Sequence, residues 1–529
     1  MTCTVTEALI ARARATPDAV AYTANGDAIT YGALSADARQ LARALARCGV
    51  GRGDRCAIVL PTGLDLIRLV YATQLLGAAP VVVNPDLPGP AIVRRLHLVR
   101  AGVAIVASPG VAAAVAATTT EEAGRQTVPC PVVTVDDIAK STGAAPLLIE
   151  PAPDETAFLQ LTSGTTGEPR AVVISHRSLV SSLIATAARL DLRASDVLAT
   201  WVPLHHDLGL VRYVFGVMLT GCVAHLIRPS MGNLRPWLLL VARTRATITG
   251  APDSAYRLAA RTVDPAGLDL GALRFAGNGG EPVRRATIDA FEQRFGVEDV
   301  VRPAYGLAEA TLTVTSAAPG EPLRVDERGT VSCGRPIDGI DLRIAAADGS
   351  ALPPGATGEI LVRGPAVFDG YFDDDVATRQ AVRDGWLHTG DVGSVDGHGY
   401  LFVTARARAL IKRGGVAIAP REVEDAVNAV SGVAGSAAVG VVLRSLSETE
   451  DVVIVAELSA IASDDRHAER VHQGIEAEVR RAVGIAPGRV LLVPAGTLPR
   501  TAAGKVQYDE LRRMVMTGRL DYARGAASR

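Results

Sequence analysis

The residues of this chain that could do chemistry fall in a few short stretches, and the densest is Leu161-Thr162-Ser163-Gly164-Thr165-Thr166-Gly167-Glu168-Pro169-Arg170. It follows the apolar run Ala157-Phe158-Leu159, so it reads as a strand running into a polar loop. Glycine lets backbone approach a ligand closely, and exposed N–H groups with Ser and Thr hydroxyls suit phosphate oxygens. An ordinary Ser/Thr/Gly turn would look the same if the stretch stood alone. The Gly-x-x-x-x-Gly-Lys-Ser/Thr phosphate loop is absent from the whole chain. Later stretches supply groups of complementary kind. They are Gly277-Asn278-Gly279-Gly280-Glu281-Pro282, then Tyr305-Gly306-Leu307-Ala308-Glu309, then Trp386-Leu387-His388-Thr389-Gly390-Asp391 with Arg406 beyond it. The last is Leu498-Pro499-Arg500-Thr501-Ala502-Ala503-Gly504-Lys505.

The elements that must position these groups alternate. Helical spacing over 5–15 ends at Thr16-Pro17, and Ala28 to Tyr31 is a short strand. An Ala- and Leu-rich amphipathic helix over 32–48 precedes the buried-strand pattern Arg55 to Leu60. Helix 63–77, strand 79–83, helix 90–100 and strand 103–107 continue the alternation. That order predicts a parallel sheet covered by helices on both faces. Residues 108–127 read as a surface excursion and 142–155 as a loop. Ser175 is a plausible N-cap for a helix beginning at His176. Strand 197–201 leads to Val202-Pro203-Leu204-His205-His206-Asp207-Leu208-Gly209-Leu210. Helix 234–245, strand 246–249, the turn Gly250-Ala251-Pro252, strand 273–276 and helix 283–295 follow. From about 331 short strands are broken by Gly and Pro, and a break near 404 separates a smaller α+β pattern. The expected fold class is therefore α/β. A large N-terminal domain (1–404) carries doubly wound mixed sheets and a small β-barrel-like part, and a small mobile α+β domain (405–529) follows.

A chain of 529 residues is too long for one ordinary domain, and its 48% hydrophobic content implies large cores. The net charge of -2 gives no electrostatic reason to expect nucleic acid or an anionic membrane as partner. The six cysteines, Cys3, Cys48, Cys56, Cys130, Cys222 and Cys333, have no metal-ligand spacing and read as reduced thiols of a cytoplasmic protein. Glu7, Arg12 and Arg14 interrupt any signal-peptide core, and no apolar run is long enough to span a bilayer.

Taken in order, these stretches resemble the motifs of adenylate-forming enzymes, the superfamily of acyl-CoA synthetases, peptide-synthetase adenylation domains and luciferases. A finer resemblance is to the fatty acyl-AMP ligases. It is carried by Trp201-Val202-Pro203, His206-Asp207-Leu208-Gly209-Leu210, Gly277 to Val283, Tyr305 to Thr311 and Cys333-Gly334-Arg335-Pro336. The resemblance implies ATP-dependent conversion of a carboxylic acid to acyl-AMP, with release of pyrophosphate. The acyl group then passes to a phosphopantetheine thiol, on an acyl carrier protein or on CoA. Negative charge gathers on the transferring phosphoryl group, so cationic and N–H donors are the main catalytic device.

By the same resemblance, Thr162, Ser163, Gly164, Thr165, Thr166, Gly167 and Arg170 hold the β- and γ-phosphates. Arg170-Ala171 stands where the family has Lys-Gly; it keeps the charge in a bulkier, forked group. Glu309 ligates Mg2+, which takes one or two carboxylates plus phosphates. Tyr305 and Gly306 sit against the adenine, Gly279, Gly280, Glu281 and Pro282 line its edge, and Asp391 and Arg406 hold the ribose. Lys505 is the cation that contacts the carboxylate and the α-phosphate, and His206 is a further catalytic group. Arg408 is the hinge about which the small domain rotates, presenting the face with Gly414 and Gly415 for thioester formation. The acid pocket is lined by His206, Asp207, Gly209, Val211, Ser254, Asn278 and Leu307. The apolar helix positions Val211, Val214, Phe215 and Met218 suit an alkyl chain, and a core helix looks the same. Asp207 falls where amino-acid-activating members pair with a substrate ammonium, yet the same His-Asp pattern occurs in the fatty-acid branch. A fatty acid is the favoured substrate and an α- or β-amino acid the alternative. A third reading, a homologue that binds nucleotide without turnover, has only Arg170 and Ala171 in its favour.

Overall fold

The computed structural model describes residues 4–116, 128–140, 149–162, 169–230, 234–327, 329–407, 409–413, 416–442, 450–459, 465–500 and 506–520. The chain forms two compact units. One comprises Met1–Arg343, Leu361–His388 and Gly399–Leu401; the other comprises Ile344–Ile360, Thr389–His398 and Phe402–Arg529.

The first unit opens with helix Val5–Ala15, started by a reciprocal cap in which Thr4 Oγ1 accepts from the Glu7 N–H and Glu7 accepts from the Thr4 N–H. Apolar strands Ala79–Val82, Arg55–Val59, Val103–Val106 and Val132–Thr134 form, in that order, an all-parallel sheet. Both faces of such a sheet are covered, which is why its strands read as unbroken apolar runs. The nine-stranded sheet runs Arg335–Pro336, Thr315–Ser316, Val301–Tyr305, Phe275–Gly279, Ile248–Ala251, Val197–Thr200, Val223–Leu226, Val20–Ala24 and Asp27–Thr30. Its six central strands are parallel, and antiparallel strands close its edges, so it is mixed as expected. One face carries a core of Trp201, Trp237, Leu238, Tyr256, Ile288 and Phe291. Thr156–Thr162 and Arg170–Ser175 form an antiparallel hairpin, to which Gly370–Tyr371 adds a third strand.

Strands Asp341–Ala345, Gly358–Arg363, Trp386–Val395, Val382–Arg383 and Leu401–Arg406 make the five-stranded sheet that is the barrel-like part. In the second unit, Val433–Val441 pairs antiparallel with Asp451–Leu458, which pairs parallel with Arg489–Pro494. The crossover between the two parallel strands contains helix Asp465–Val483. Valine and alanine alternate to both faces of these strands and build two separate cores. One expectation is refined and another changes. Within 108–127, Pro109–Ala116 is a helix, and 117–127 lie outside the described residues. Gly250 and Ala251 belong to a strand and not to a turn. Among the described residues no helix is long and apolar enough to cross a membrane.

Candidate active site

The hydroxyl- and glycine-rich stretch is the connection of the hairpin, and Thr162 pairs with Arg170 across its mouth. Ser163, Gly164, Thr165, Thr166 and Gly167 lie outside the described residues. The Arg170 guanidinium stands over the Tyr371 ring at 5.1 Å, and its Nε is 3.9 Å from Asp374 Oδ2. Tyr371 in turn donates from its hydroxyl to Glu309 Oε1 at 2.7 Å. Burial and then the Glu309 charge push the Tyr371 phenol above its ordinary range, so it stays a protonated donor. Arg170 and Glu309 are thus joined through one aromatic side chain. The sequence reading missed Tyr371 because Gly370–Tyr371 is a two-residue strand with no periodicity of its own. The only available signal was an aromatic residue after glycine at the end of an apolar run.

The turn that carries Glu309 is strained. Strand Val301–Tyr305 ends at Gly306, where a Cβ would lie 1.5 Å from the Leu312 carbonyl oxygen, so no side chain fits. A single 3-10 turn, Ala308–Ala310, follows, and then Thr311 and Leu312 take φ of 49° and 83°. Left-handed conformation at a leucine costs about 1–3 kcal/mol and persists only where its surroundings enforce it. They do so here. The Glu309 carbonyl accepts from the Phe368 N–H at 2.8 Å, Thr311 Oγ1 donates to the Ala366 carbonyl at 2.6 Å, and Ser182 Oγ donates to the Thr311 carbonyl at 2.7 Å. The Val314 N–H then closes back on the Tyr305 carbonyl at 3.0 Å. Glu309 and the half-buried Tyr305 are presented from one enforced reversal, with the buried Leu307 between them.

The Gly277 to Pro282 stretch runs off the neighbouring strand. Gly279 lies so close to Val301–Tyr305 that a Cβ would stand 2.7 Å from the Ala304 oxygen, and Gly280 has φ 77°. Glu281 accepts from the Ser254 N–H at 2.9 Å and from Ser254 Oγ at 3.2 Å. Buried Asn278 donates to Asp253 Oδ1 at 3.2 Å, while its own Oδ1 has no partner. Pro282 is exposed.

His206 lies beside His205, with ring centroids 4.8 Å apart. Asp207 is half-buried, and its Oδ1 accepts from the Leu208 N–H at 2.7 Å at the start of the π-helix Leu208–Phe215. That bond engages one of the two carboxylate oxygens. Gly209 packs on the preceding loop, where a Cβ would meet the Pro203 oxygen at 2.2 Å. Val211 is buried in the π-helix.

In the second unit the residues expected at the ribose come together. Asp391 is buried on strand Trp386–Val395, and Arg406, at the end of Leu401–Arg406, places Nε 2.8 Å from its Oδ1. Arg500 and Val506 form a bridge that brackets 501–505. Lys505, Arg408, Gly414 and Gly415 lie outside the described residues.

Burial lowers the His205 imidazole to about 3, with His206 repulsion adding to it and Asp86 opposing. Burial likewise lowers His176 to about 4 against the pull of Glu155 and Glu7. Both are neutral when folded and gain a proton on unfolding below about pH 6.5. Their contribution is complete above that pH and is lost as pH falls toward 4, at about 1.4 kcal/mol per pH unit for each. Denaturant titrations across pH 6.5 to 4.5 will show this fall, and His176→Gln will remove about one proton from it. A slope unchanged by that substitution would contradict a neutral buried His176.

The AMP-binding enzyme family matches residues 9–372, and the chain belongs to that family. It is 32% identical to a sulfoacetate–CoA ligase of Cupriavidus necator over 501 residues, 92% of each chain. It is 31% identical to a feruloyl-CoA synthase of Amycolatopsis sp over 510 residues, 95% of this chain and 97% of the relative. Among solved structures it resembles a fatty acyl-adenylate ligase from work on the E. coli and L. pneumophila enzymes. The TM-score is 0.85 at 25% identity, with 98% of both chains covered. The expected superfamily, fold class and adenylate-forming activation of a carboxylic acid therefore stand.

Proposed function

We propose that this protein is an acid–thiol ligase that forms an acyl-adenylate and then a thioester on a phosphopantetheine thiol. The observation that carries the reading is the Arg170–Tyr371–Glu309 linkage, which ties the mouth of the phosphate-type loop to the single carboxylate on the strained turn. One carboxylate with open valences fits Mg2+, which completes its shell with phosphate oxygens and water. Glu309 would hold that ion, which when bound neutralises charge on the phosphates. Arg170 and the loop would orient the β- and γ-phosphates, Tyr305 and Gly279 to Pro282 the adenine, and Asp391 with Arg406 the ribose. Lys505 would contact the reacting carboxylate and α-phosphate.

Two curated relatives bear the names of CoA ligases, which supports free CoA as the acceptor. The likeness to the fatty acyl-adenylate ligase keeps a carrier protein as the second reading. Acid-dependent ATP–pyrophosphate exchange, with Mg2+ and no thiol, tests adenylation across fatty, aryl, amino and dicarboxylic acids. Adding CoA or a phosphopantetheinylated carrier protein then separates the acceptors by which one yields thioester. A protein that binds ATP but exchanges pyrophosphate with no acid would be a nucleotide-binding homologue, and the reading would fall.

A further inference from the structure

The wall of the region expected to receive the acid contains a buried cation with no counter-charge. Arg212, in the π-helix Leu208–Phe215, is 6% exposed. Its Nη2 reaches only Thr313 Oγ1, at 3.4 Å, and its Nε has no partner. No carboxylate pairs with it among the described residues; its other neighbours include the Phe275 ring, 5.9 Å away, and the side chains of Tyr213 and Tyr256. The next residue repeats the pattern. The Tyr213 hydroxyl is buried and, although Thr200 lies near it, makes no hydrogen bond.

These two donors stand over one spot on the sheet. Gly250 and Gly277 are directly paired in adjacent parallel strands. A Cβ on Gly277 would lie 3.3 Å from Arg212 Nη1, and a Cβ on Gly250 would lie 3.1 Å from the Tyr213 hydroxyl. Two side-chain-free positions side by side thus make room for a guanidinium with no anionic partner, whose one hydrogen bond is the long one to Thr313, and for a phenol with no acceptor. An isolated buried charge is costly, and a buried arginine ordinarily has an anion. Guanidinium and phenol together match a carboxylate or another planar or tetrahedral oxyanion.

We infer that Arg212 and Tyr213 form a subsite for a second anionic group on the acid substrate, so that the substrate is a short dicarboxylic acid or an acid ending in a comparable oxyanion. The inference rests on the adenylation reading above and deepens it. One carboxylate is activated; the other, at the far end of a short chain, accepts from Arg212 and Tyr213. A long alkyl chain would instead leave both donors buried and unsatisfied against methylene groups.

The test is ATP–pyrophosphate exchange with chain-matched pairs: malonate against propionate, succinate against butyrate, glutarate against valerate, and sulfoacetate against propionate. The wild-type enzyme is expected to favour one dianionic member by about 10- to 100-fold in kcat/KM, the discrimination that a hydrogen bond to a charged group supplies. Arg212→Met is expected to lower that ratio about 100-fold, and Tyr213→Phe, which keeps the ring and its packing, about tenfold. Preference for the monoanionic member of every pair overturns the subsite and leaves adenylation standing. A ratio unmoved by Tyr213→Phe and Arg212→Met also overturns it. Should Arg212→Met fail to fold, the wild-type preference and Tyr213→Phe decide. Exchange with no acid at all removes adenylation itself, and the subsite with it.

Discussion

Glu309→Gln is expected to lower acid-dependent pyrophosphate exchange about 100-fold and to raise the Mg2+ concentration needed for half-maximal rate, with the thermal midpoint nearly unchanged. The amide keeps an oxygen that can accept from the Tyr371 hydroxyl, so the 2.7 Å contact and the turn survive. What is lost is charge. Tyr371→Phe separates the two roles further, because it leaves Glu309 charged and removes only the group that orients it. Losing such an orienting partner typically costs about 10- to 100-fold in metal affinity or activity. The expected signature is therefore a Mg2+ requirement raised about tenfold with saturating-Mg2+ exchange largely recovered. Near-normal exchange and Mg2+ dependence in Glu309→Gln would remove Glu309 from the metal role. A rate lost in Tyr371→Phe that Mg2+ cannot restore would make the tyrosine a packing residue.

How much of this was legible in the sequence depends on whether a group's partner is local. The apolar strands 55–59, 79–82 and 103–106 were readable because a parallel sheet buried on both faces demands unbroken hydrophobic runs. Helix His176–Arg189 was readable because its cap, Ser175, is adjacent and accepts from Ser178. Strand Val20–Ala24 was not, since its alternation is short and its parallel partner is Val223–Leu226, some two hundred residues away. Tyr371 and Arg212 escaped for the same reason. Nothing near Tyr371 in sequence announces Glu309, and Arg212 sits in a helix whose other positions read as plain core. Asp207 shows the reverse case. Its position alone suggested a distant cation, and the structure adds a bond from the very next N–H to one of its two oxygens. Composition registers a buried charge without revealing whether its counter-group is one residue away, two hundred away, or on a ligand.

Lys505→Ala is expected to have the largest effect, a loss of about 100- to 1,000-fold in acyl-adenylate formation, on the scale of removing one preorganised donor from a developing oxyanion. The stretch holding it is bracketed by the Arg500–Val506 bridge, and Arg500 is itself tied to Glu457 at 3.6 Å. Glu457 also accepts from the Gly496 and Leu498 N–H groups at 2.9 Å. With the flanking frame held through Glu457, far-ultraviolet circular dichroism and the thermal midpoint are expected to be unchanged. The informative comparison is between half-reactions. Given preformed acyl-adenylate and thiol, Lys505→Ala should still form thioester, because the phosphoryl step it serves has already occurred. Arg408→Pro, which restricts the backbone at the expected hinge, should impair one half-reaction while sparing the other. Near-normal exchange in Lys505→Ala would show that the α-phosphate finds its cation elsewhere, with Arg170 the next candidate. Equal loss of both half-reactions in Arg408→Pro would mean that position 408 supports the fold and does not serve a rotation.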